Sequence, residues 1–89
     1  MKRSIIKMYY TYILKSINYD KLYIGSTENL RQRLGDHNSS KSNFTKSFMP
    51  WKLVYYEAHI SKTFAIKAEN FYKTGQGRRQ IKRKLGINQ

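Results

Sequence analysis

The stretch YTYILKSINYDKLYIGSTENLRQRLGDH, from Tyr10 to His37, decides the fold of this chain. Its first residues, 10–14, are β-branched and aromatic, and this pattern resumes at residues 22–24. Between them the sequence NYDK, residues 18–21, supplies turn-forming side chains. Two short strands across a tight loop predict a β-hairpin, which Gly25 ends. The first strand is largely apolar on both faces and is therefore expected at the centre of the sheet.

A helix is predicted to follow the hairpin directly. Either Ser26 or Thr27 can accept from the free backbone N–H groups of a helix over residues 28–37, whose acidic first residue suits the positive helix end. Arg33 and His37 lie four residues apart and share one face of that helix, near the emerging hairpin tyrosines. Four polar side chains are therefore expected to converge: Tyr12, Tyr23, Arg33 and His37.

The next segment predicts a loop and a third strand. Residues 38–43 are polar without periodicity and favour a loop. Lys41 and Lys46 can donate to phosphate oxygens there, although a merely solvated loop is an equally good interpretation. Residues 51–58 then predict a strand with three large side chains on one face. Those side chains are Trp51, Leu53 and Tyr55.

Two further helices are predicted near the end of the chain. The first is capped by Ser61 or Thr63, runs to about Lys73, and is stopped by Gly75 in a left-handed conformation. Its apolar stripe comprises Phe64, Ala65, Ala68, Phe71 and Tyr72. The last helix, residues 78–85, presents a basic face suited to backbone phosphates. That face comprises Arg78, Arg79, Lys82, Arg83 and Lys84.

These elements predict an α+β protein, an α/β sandwich with a small three-stranded mixed or antiparallel sheet flanked by about three helices. With 89 residues and no linker or repeat, one domain over residues 1–89 is expected, with a loose lead-in at 1–7. The absence of cysteine excludes disulfides and fits a reducing compartment. No apolar run is long enough for a signal peptide or a membrane span, so an intracellular protein without membrane contact is expected. Its oligomeric state is left open.

The charge of the chain indicates a polyanionic partner. Eighteen Lys and Arg against five Asp and Glu give a net charge of +13, whereas small domains usually carry a magnitude of about 2 to 8. Such an excess costs self-repulsion unless a polyanion neutralises it, and nucleic acid is the expected partner. The net charge alone does not show whether the nucleic acid is DNA or RNA, or whether the protein cuts it or only binds it.

The hairpin and helix resemble the GIY-YIG endonuclease family, in particular its small stand-alone, UPF0213-like members. Residues 10–12 stand where the family has its first triplet and keep only the final tyrosine, whereas residues 23–25 give the second triplet in full. Arg33 and His37 follow at the family's usual offsets. The PWKLVYYE segment and the helix with Glu69 also look like the short members, so the resemblance covers nearly the whole chain.

The resemblance implies the GIY-YIG fold and divalent-metal-dependent hydrolysis of DNA phosphodiester bonds. It assigns Tyr12 to the attacking water, with Tyr23 and His37 orienting that water or relaying its proton, although these three roles can be permuted. Glu69 looks like the family's metal-binding glutamate. The chemistry of the side chains agrees, because a guanidinium such as that of Arg33 binds phosphate in a bidentate way and one carboxylate with substrate phosphate can hold a single Mg²⁺ or Mn²⁺ ion.

Two alternatives stay open at this point. Glu69 is also spaced to form an ordinary surface pair with Lys73, at i,i+4. The whole chain can equally be an inactive, basic nucleic-acid-binding module of the same fold. Homing and restriction relatives attach separate DNA-reading domains, for which this chain has no room, so recognition of DNA is expected to be structure-selective or weakly specific, or to depend on a targeting partner protein.

Overall fold

The predicted three-stranded sheet is present, and it is antiparallel throughout. The computed structural model describes residues 6–39 and 41–87. Its strands are β1 (Tyr9–Ser16), β2 (Leu22–Thr27) and β3 (Trp51–His59), in the order β2-β1-β3. The strand with two apolar faces therefore occupies the centre, as predicted, because only a central strand is covered on both sides and paired along both edges.

Four helices are formed by the described residues. They are α1 (Leu30–His37), α2 (Asn43–Lys46), α3 (Lys62–Tyr72) and α4 (Gly75–Leu85). Three of them correspond to the predicted helices, and the α+β class is confirmed. The single turn of α2 lies in the polar connection to β3, where no helix was predicted.

The sheet separates two apolar clusters. On one face, the first cluster consists of Ile13, Ile24, Tyr72 and Ile81, contributed by the sheet, α3 and α4. On the other face, the second cluster consists of Tyr12, Leu14 and Trp51, with Leu30 and Leu34 of α1 packed against it. Adjacent residues of β1 thus enter opposite clusters, as the alternation of a strand requires.

The start of α1 differs from the prediction. The cap is Asn29, whose Oδ1 accepts from the backbone N–H of Gln32 at 3.1 Å. Thr27 does not cap the helix, because its hydroxyl accepts from the backbone N–H of Asn29, also at 3.1 Å. Glu28 lies before the helix and forms an ion pair with Lys7 at 2.7 Å.

The junction between α3 and α4 was also predicted wrongly. Gly75 does not stop α3; it begins α4, three residues earlier than expected. Thr74 makes this sharp junction possible, because its hydroxyl donates to the Phe71 carbonyl at 2.7 Å and accepts from the Gly77 N–H at 3.0 Å. A Cβ at position 77 would lie 1.9 Å from the Phe71 carbonyl oxygen, so only glycine allows this close packing of the two helices.

Two predicted apolar faces are incomplete for identifiable reasons. Tyr55 does not share a face with Trp51 and Leu53, because Val54 is an extra residue in β3: Ile13 pairs with Tyr55, but Leu14 pairs with Leu53. This bulge moves Tyr55 to the α3 face. On α3, Ala65 and Tyr72 are buried as predicted, whereas Phe64 and Phe71 of the stripe are exposed.

The first five residues of the predicted lead-in lie outside the described residues, as Ser40 does. Within residues 6–39 and 41–87, no helix has the length and apolar character that crossing a membrane requires.

Candidate active site

Tyr12 projects from the central strand and contacts the backbone of the neighbouring edge strand. Its side chain is 2% exposed, and its partner across the sheet is Gly25. A Cβ on Gly25 would lie 2.7 Å from the Tyr12 hydroxyl oxygen. Gly25 therefore does not end the strand as predicted; it lies within β2 and leaves the space that the Tyr12 ring occupies.

His37 is completely buried and bonded through both ring nitrogens. Its Nε2 lies 2.9 Å from the Tyr12 hydroxyl, and its Nδ1 lies 2.9 Å from the Thr45 hydroxyl. Burial, with a contribution from the positive charge of Arg33, lowers the pKa of His37 to about 4. The imidazole is therefore neutral at pH 7, with one nitrogen available to accept the Tyr12 proton.

Thr45 is a part of this site that the sequence did not reveal. It is buried on the short helix α2, where its carbonyl accepts from the indole N–H of Trp51 at 2.7 Å. Its position within a polar segment without periodicity gave no signal. The one general indication was that a buried imidazole, here that of His37, needs a hydrogen-bond partner for its second ring nitrogen.

Arg33 and Tyr23 complete the cluster on this face. The Tyr23 ring lies 4.5 Å from the His37 ring and 6.2 Å from the Tyr12 ring, measured between centroids. Burial opposes the charge of Arg33, but interactions with the hydroxyls of Tyr12 and Tyr23 raise its pKa overall. The guanidinium is thus permanently charged, partly exposed, and directed at both phenols.

The Tyr12 hydroxyl keeps its proton in this environment. Burial raises the pKa of Tyr12 to about 12, and the charges of Tyr23 and Glu69 act in the same direction, whereas Arg33 opposes them. The hydroxyl can donate this proton to Nε2 of His37 when that nitrogen is unprotonated. The chain of hydrogen bonds runs from Tyr12 through His37 to Thr45, and the Arg33 guanidinium interacts with the same phenol.

Glu69 reaches the site from the other face of the sheet. One carboxylate oxygen accepts from the Ser26 hydroxyl at 2.7 Å, and the other accepts from the Lys73 ammonium at 2.7 Å. Ser26 follows Gly25 in β2 and so points to the face opposite Tyr12. Because β2 is an edge strand, the two faces meet beside it, and the charge of Glu69 still acts on the Tyr12 hydroxyl.

The donor set suits one hard cation rather than a metal cluster. The described residues contain no group of three or more His, Asp and Glu side chains arranged to hold a metal. The Glu69 side chain is 18% exposed and each of its oxygens has one protein partner, which leaves lone pairs for an ion that keeps most of its waters. A hollow of about 610 Å³ lies beside its partner Ser26 and is partly lined by Lys7 and Lys62.

The predicted phosphate-binding cations fall into four groups. Lys41 lies 3.7 Å from Asp36, which is itself 3.8 Å from Arg33, so Lys41 is adjacent to the site. Lys46 is exposed on α2. Arg78 and Lys82 line a groove with Phe44, whereas Arg79 and Arg83 line another hollow with Phe71. The basic face predicted for the last helix is therefore divided between two surfaces.

Comparisons with known proteins identify the family of this fold. The family model of the GIY-YIG catalytic domain matches residues 8–83. A UPF0213 protein of Streptococcus pyogenes serotype M3 is 37% identical over 75 residues, covering 83% of this chain and 80% of its own. A UPF0213 protein of Lactiplantibacillus plantarum is 41% identical over 71 residues, covering 76% of this chain and 69% of its own.

A solved structure shows the same fold. The solution NMR structure of a UPF0213 protein from Bacillus halodurans matches with a TM-score of 0.51 and 28% identity, covering 83% of this chain and 81% of that one. The family match spans the hairpin, both tyrosines, α1 and the helix that carries Glu69. The chain therefore belongs to the GIY-YIG family of nuclease domains.

Proposed function

We propose that this chain is a divalent-metal-dependent endonuclease that hydrolyses DNA phosphodiester bonds at a single site. The observation that carries the proposal is the chain of hydrogen bonds from Tyr12 through His37 to Thr45, with the Arg33 guanidinium on the same phenol. It combines a phosphate-binding cation with a route for a proton, the two elements that in-line hydrolysis of a phosphodiester needs.

Arg33 binds the phosphate in this proposal. Its planar guanidinium stays charged and can hold two phosphate oxygens at once while negative charge grows on them. Because the guanidinium interacts with the buried Tyr12 phenol, a phosphate bound by Arg33 would lie next to that hydroxyl.

Tyr12 and His37 transfer the proton of the attacking water. Tyr12 accepts a proton from water as its own proton passes to Nε2 of His37, while the water oxygen attacks phosphorus and the P–O bond to the leaving oxygen breaks. The leaving oxygen takes a proton from solvent, and the imidazolium of His37 returns its proton to solvent through Tyr12. Thr45 holds the imidazole in the tautomer that leaves Nε2 free to accept. Tyr23 packs against His37 and restricts its orientation.

Glu69 is the residue that would hold one Mg²⁺ or Mn²⁺ ion. When bound, such an ion neutralises charge on the phosphate and lowers the pKa of coordinated water. We further propose that the domain extends over the whole chain, acts inside the cell, and selects DNA by shape or through a targeting partner protein.

One observation favours a second candidate, an inactive nucleic-acid-binding module. The Lys73 ammonium lies 2.7 Å from the Glu69 carboxylate, where it competes with any cation. If that pair is permanent, the site binds phosphate through Arg33 without cutting it.

The test is cleavage of supercoiled plasmid and of flapped, branched and single-stranded DNA, with Mg²⁺ or Mn²⁺ and with EDTA. We expect cleavage only with the ion, and at least about 100-fold less after Arg33→Ala or Glu69→Gln. The matched controls are Arg31→Ala on the same helix and Glu28→Gln on the surface, which should cut like wild type. Binding of all substrates without cleavage of any would establish the module instead.

A further inference from the structure

A row of aromatic rings leads from the candidate active site to the surface. Starting at Tyr23, it continues through Phe44 and Phe48 to Tyr19, with successive centroid distances of 6.2, 5.5 and 5.3 Å. Phe44 is 52% exposed and Tyr19 is 50% exposed. Neither the fold nor the proposed hydrolysis accounts for two large rings that remain so open to solvent beside the site.

The row borders a groove that is both apolar and basic. The groove has a volume of about 300 Å³, and its walls include Phe44, Leu22, Lys21, Arg78 and Lys82. Lys21 also lies over the Phe48 ring, with its ammonium 5.3 Å from the centroid. An aromatic surface interleaved with cations is the combination that binds bases and phosphates of an unpaired nucleic-acid strand.

Phe44 is presented on a rigid element. The next residue, Thr45, is fully buried and is fixed by His37 and by the Trp51 indole. The turn of α2 is therefore anchored to the site itself while the Phe44 ring faces solvent. A base can therefore stack on Phe44 without this turn having to become ordered first.

We propose that Phe44 is a stacking platform for an unpaired base beside the phosphodiester that is cut, with Arg78 and Lys82 on the adjoining phosphates. In duplex DNA the faces of each base are covered by its neighbours, so this contact requires a nucleotide that has left the stack. The inference rests on the proposed function for the position of the scissile bond. It narrows the substrate class to DNA with an unpaired strand at the site, such as a flap or a single strand.

The test measures binding in EDTA, where no cleavage occurs, to a flap with the fluorescent base 2-aminopurine. Stacking on Phe44 should quench that base in wild-type protein. Phe44→Ala should abolish the quenching and weaken binding about 5- to 100-fold, whereas Phe44→Trp should restore both. The matched control is Phe64→Ala on α3, which removes an equally exposed ring, 56% against 52%, and should change nothing.

Removing the base separates stacking from a structural effect. With an abasic nucleotide at the probed position, wild type and Phe44→Ala should bind equally, because the partner of the ring is absent. An equal loss by Phe44→Ala on abasic and normal strands, or no loss at all, would overturn the proposal. Cleavage is measured separately. If the base stacks on Phe44 but no DNA is cut, the proposed nuclease function alone is refuted. If Phe44→Ala leaves cleavage unchanged, the proposed stacking role of Phe44 alone is refuted.

Discussion

The two edges of the sheet carry the same types of side chain in different arrangements. At the β3 edge, Glu57 accepts from the hydroxyls of Tyr55 and Tyr72, and His59 Nε2 lies 3.2 Å from its carboxylate. At the β2 edge, the candidate site also has a carboxylate, two tyrosines and a histidine. The difference lies in which groups are bonded to each other.

At the β3 edge the two phenols are bonded to the carboxylate. Burial alone would raise the pKa of Glu57, but hydrogen bonds from Tyr72 and Tyr55 lower it overall. Burial and the same contact with Glu57 raise the pKa of Tyr72 well above its usual range. Each phenol donates its hydrogen bond to the carboxylate, so these two hydroxyls stabilise the fold.

At the β2 edge the carboxylate and the phenols are kept apart. The backbone of Gly25 lies between them, the Tyr12 phenol is bonded to a neutral imidazole, and the Arg33 guanidinium interacts with both phenols. The Glu69 carboxylate accepts from a serine and a lysine. A reaction site requires groups that lie close together and whose bonding partners a substrate or an ion can replace. Residue type alone does not distinguish the two edges.

The largest expected difference between the two edges is in DNA cleavage after one tyrosine hydroxyl is removed at each edge. Tyr12→Phe should lower DNA cleavage by about 100- to 1,000-fold, because it interrupts the route of the proton, while the fold remains. Tyr72→Phe should leave cleavage intact but lower the free energy of unfolding by about 1–3 kcal/mol, because Glu57 loses a charge-assisted hydrogen bond. Plasmid cleavage and urea denaturation measure the two effects. Equal effects of both variants on cleavage would remove the distinction between the edges.

The residues predicted correctly are those whose neighbours are set by local geometry. Alternation along β1 and β2 fixes the face of Tyr12 and Tyr23, and the four-residue spacing on α1 fixes Arg33 next to His37. These relations need only a strand, a turn and a helix. The amino-acid sequence alone is therefore enough to group four of the expected site residues.

The features missed depend on contacts distant in sequence. Thr45 belongs to the site because β3 brings Trp51 beneath α2, and the bulge at Val54 depends on the register with β1. The face from which Glu69 approaches follows from the packing of α3 against β2, which periodicity along α3 cannot supply. The candidate site therefore spans both faces of the sheet around Gly25.

A change in pH is expected to have an intermediate effect, this time on the free energy of unfolding. This effect distinguishes His37 from His59. The pKa of His37 is about 4 in the folded protein, against about 6.5 when unfolded. As the pH falls, the unfolded state binds a proton at a higher pH than the folded state does. The free energy of unfolding therefore decreases between about pH 6.5 and about pH 4, by up to about 3 kcal/mol. Chemical denaturation at successive pH values should show this slope, and His37→Asn should remove it. His59→Asn, at the other edge, is the control that should retain it.

The smallest expected effect is on the affinity for a divalent cation when Lys73, the ion-pair partner of Glu69, is removed. Lys73 is about half exposed and pairs with Glu69 at 2.7 Å; such a pair contributes about 1 kcal/mol or less, so an entering cation can displace it. Lys73→Met should therefore strengthen Mn²⁺ binding by about five-fold, measured by titration with electron paramagnetic resonance in the absence of DNA. Lys67→Met on the same helix removes an equal charge without touching the carboxylate and should have a smaller effect. Unchanged Mn²⁺ affinity in Lys73→Met would mean that this carboxylate, like that of Glu57, has only structural partners.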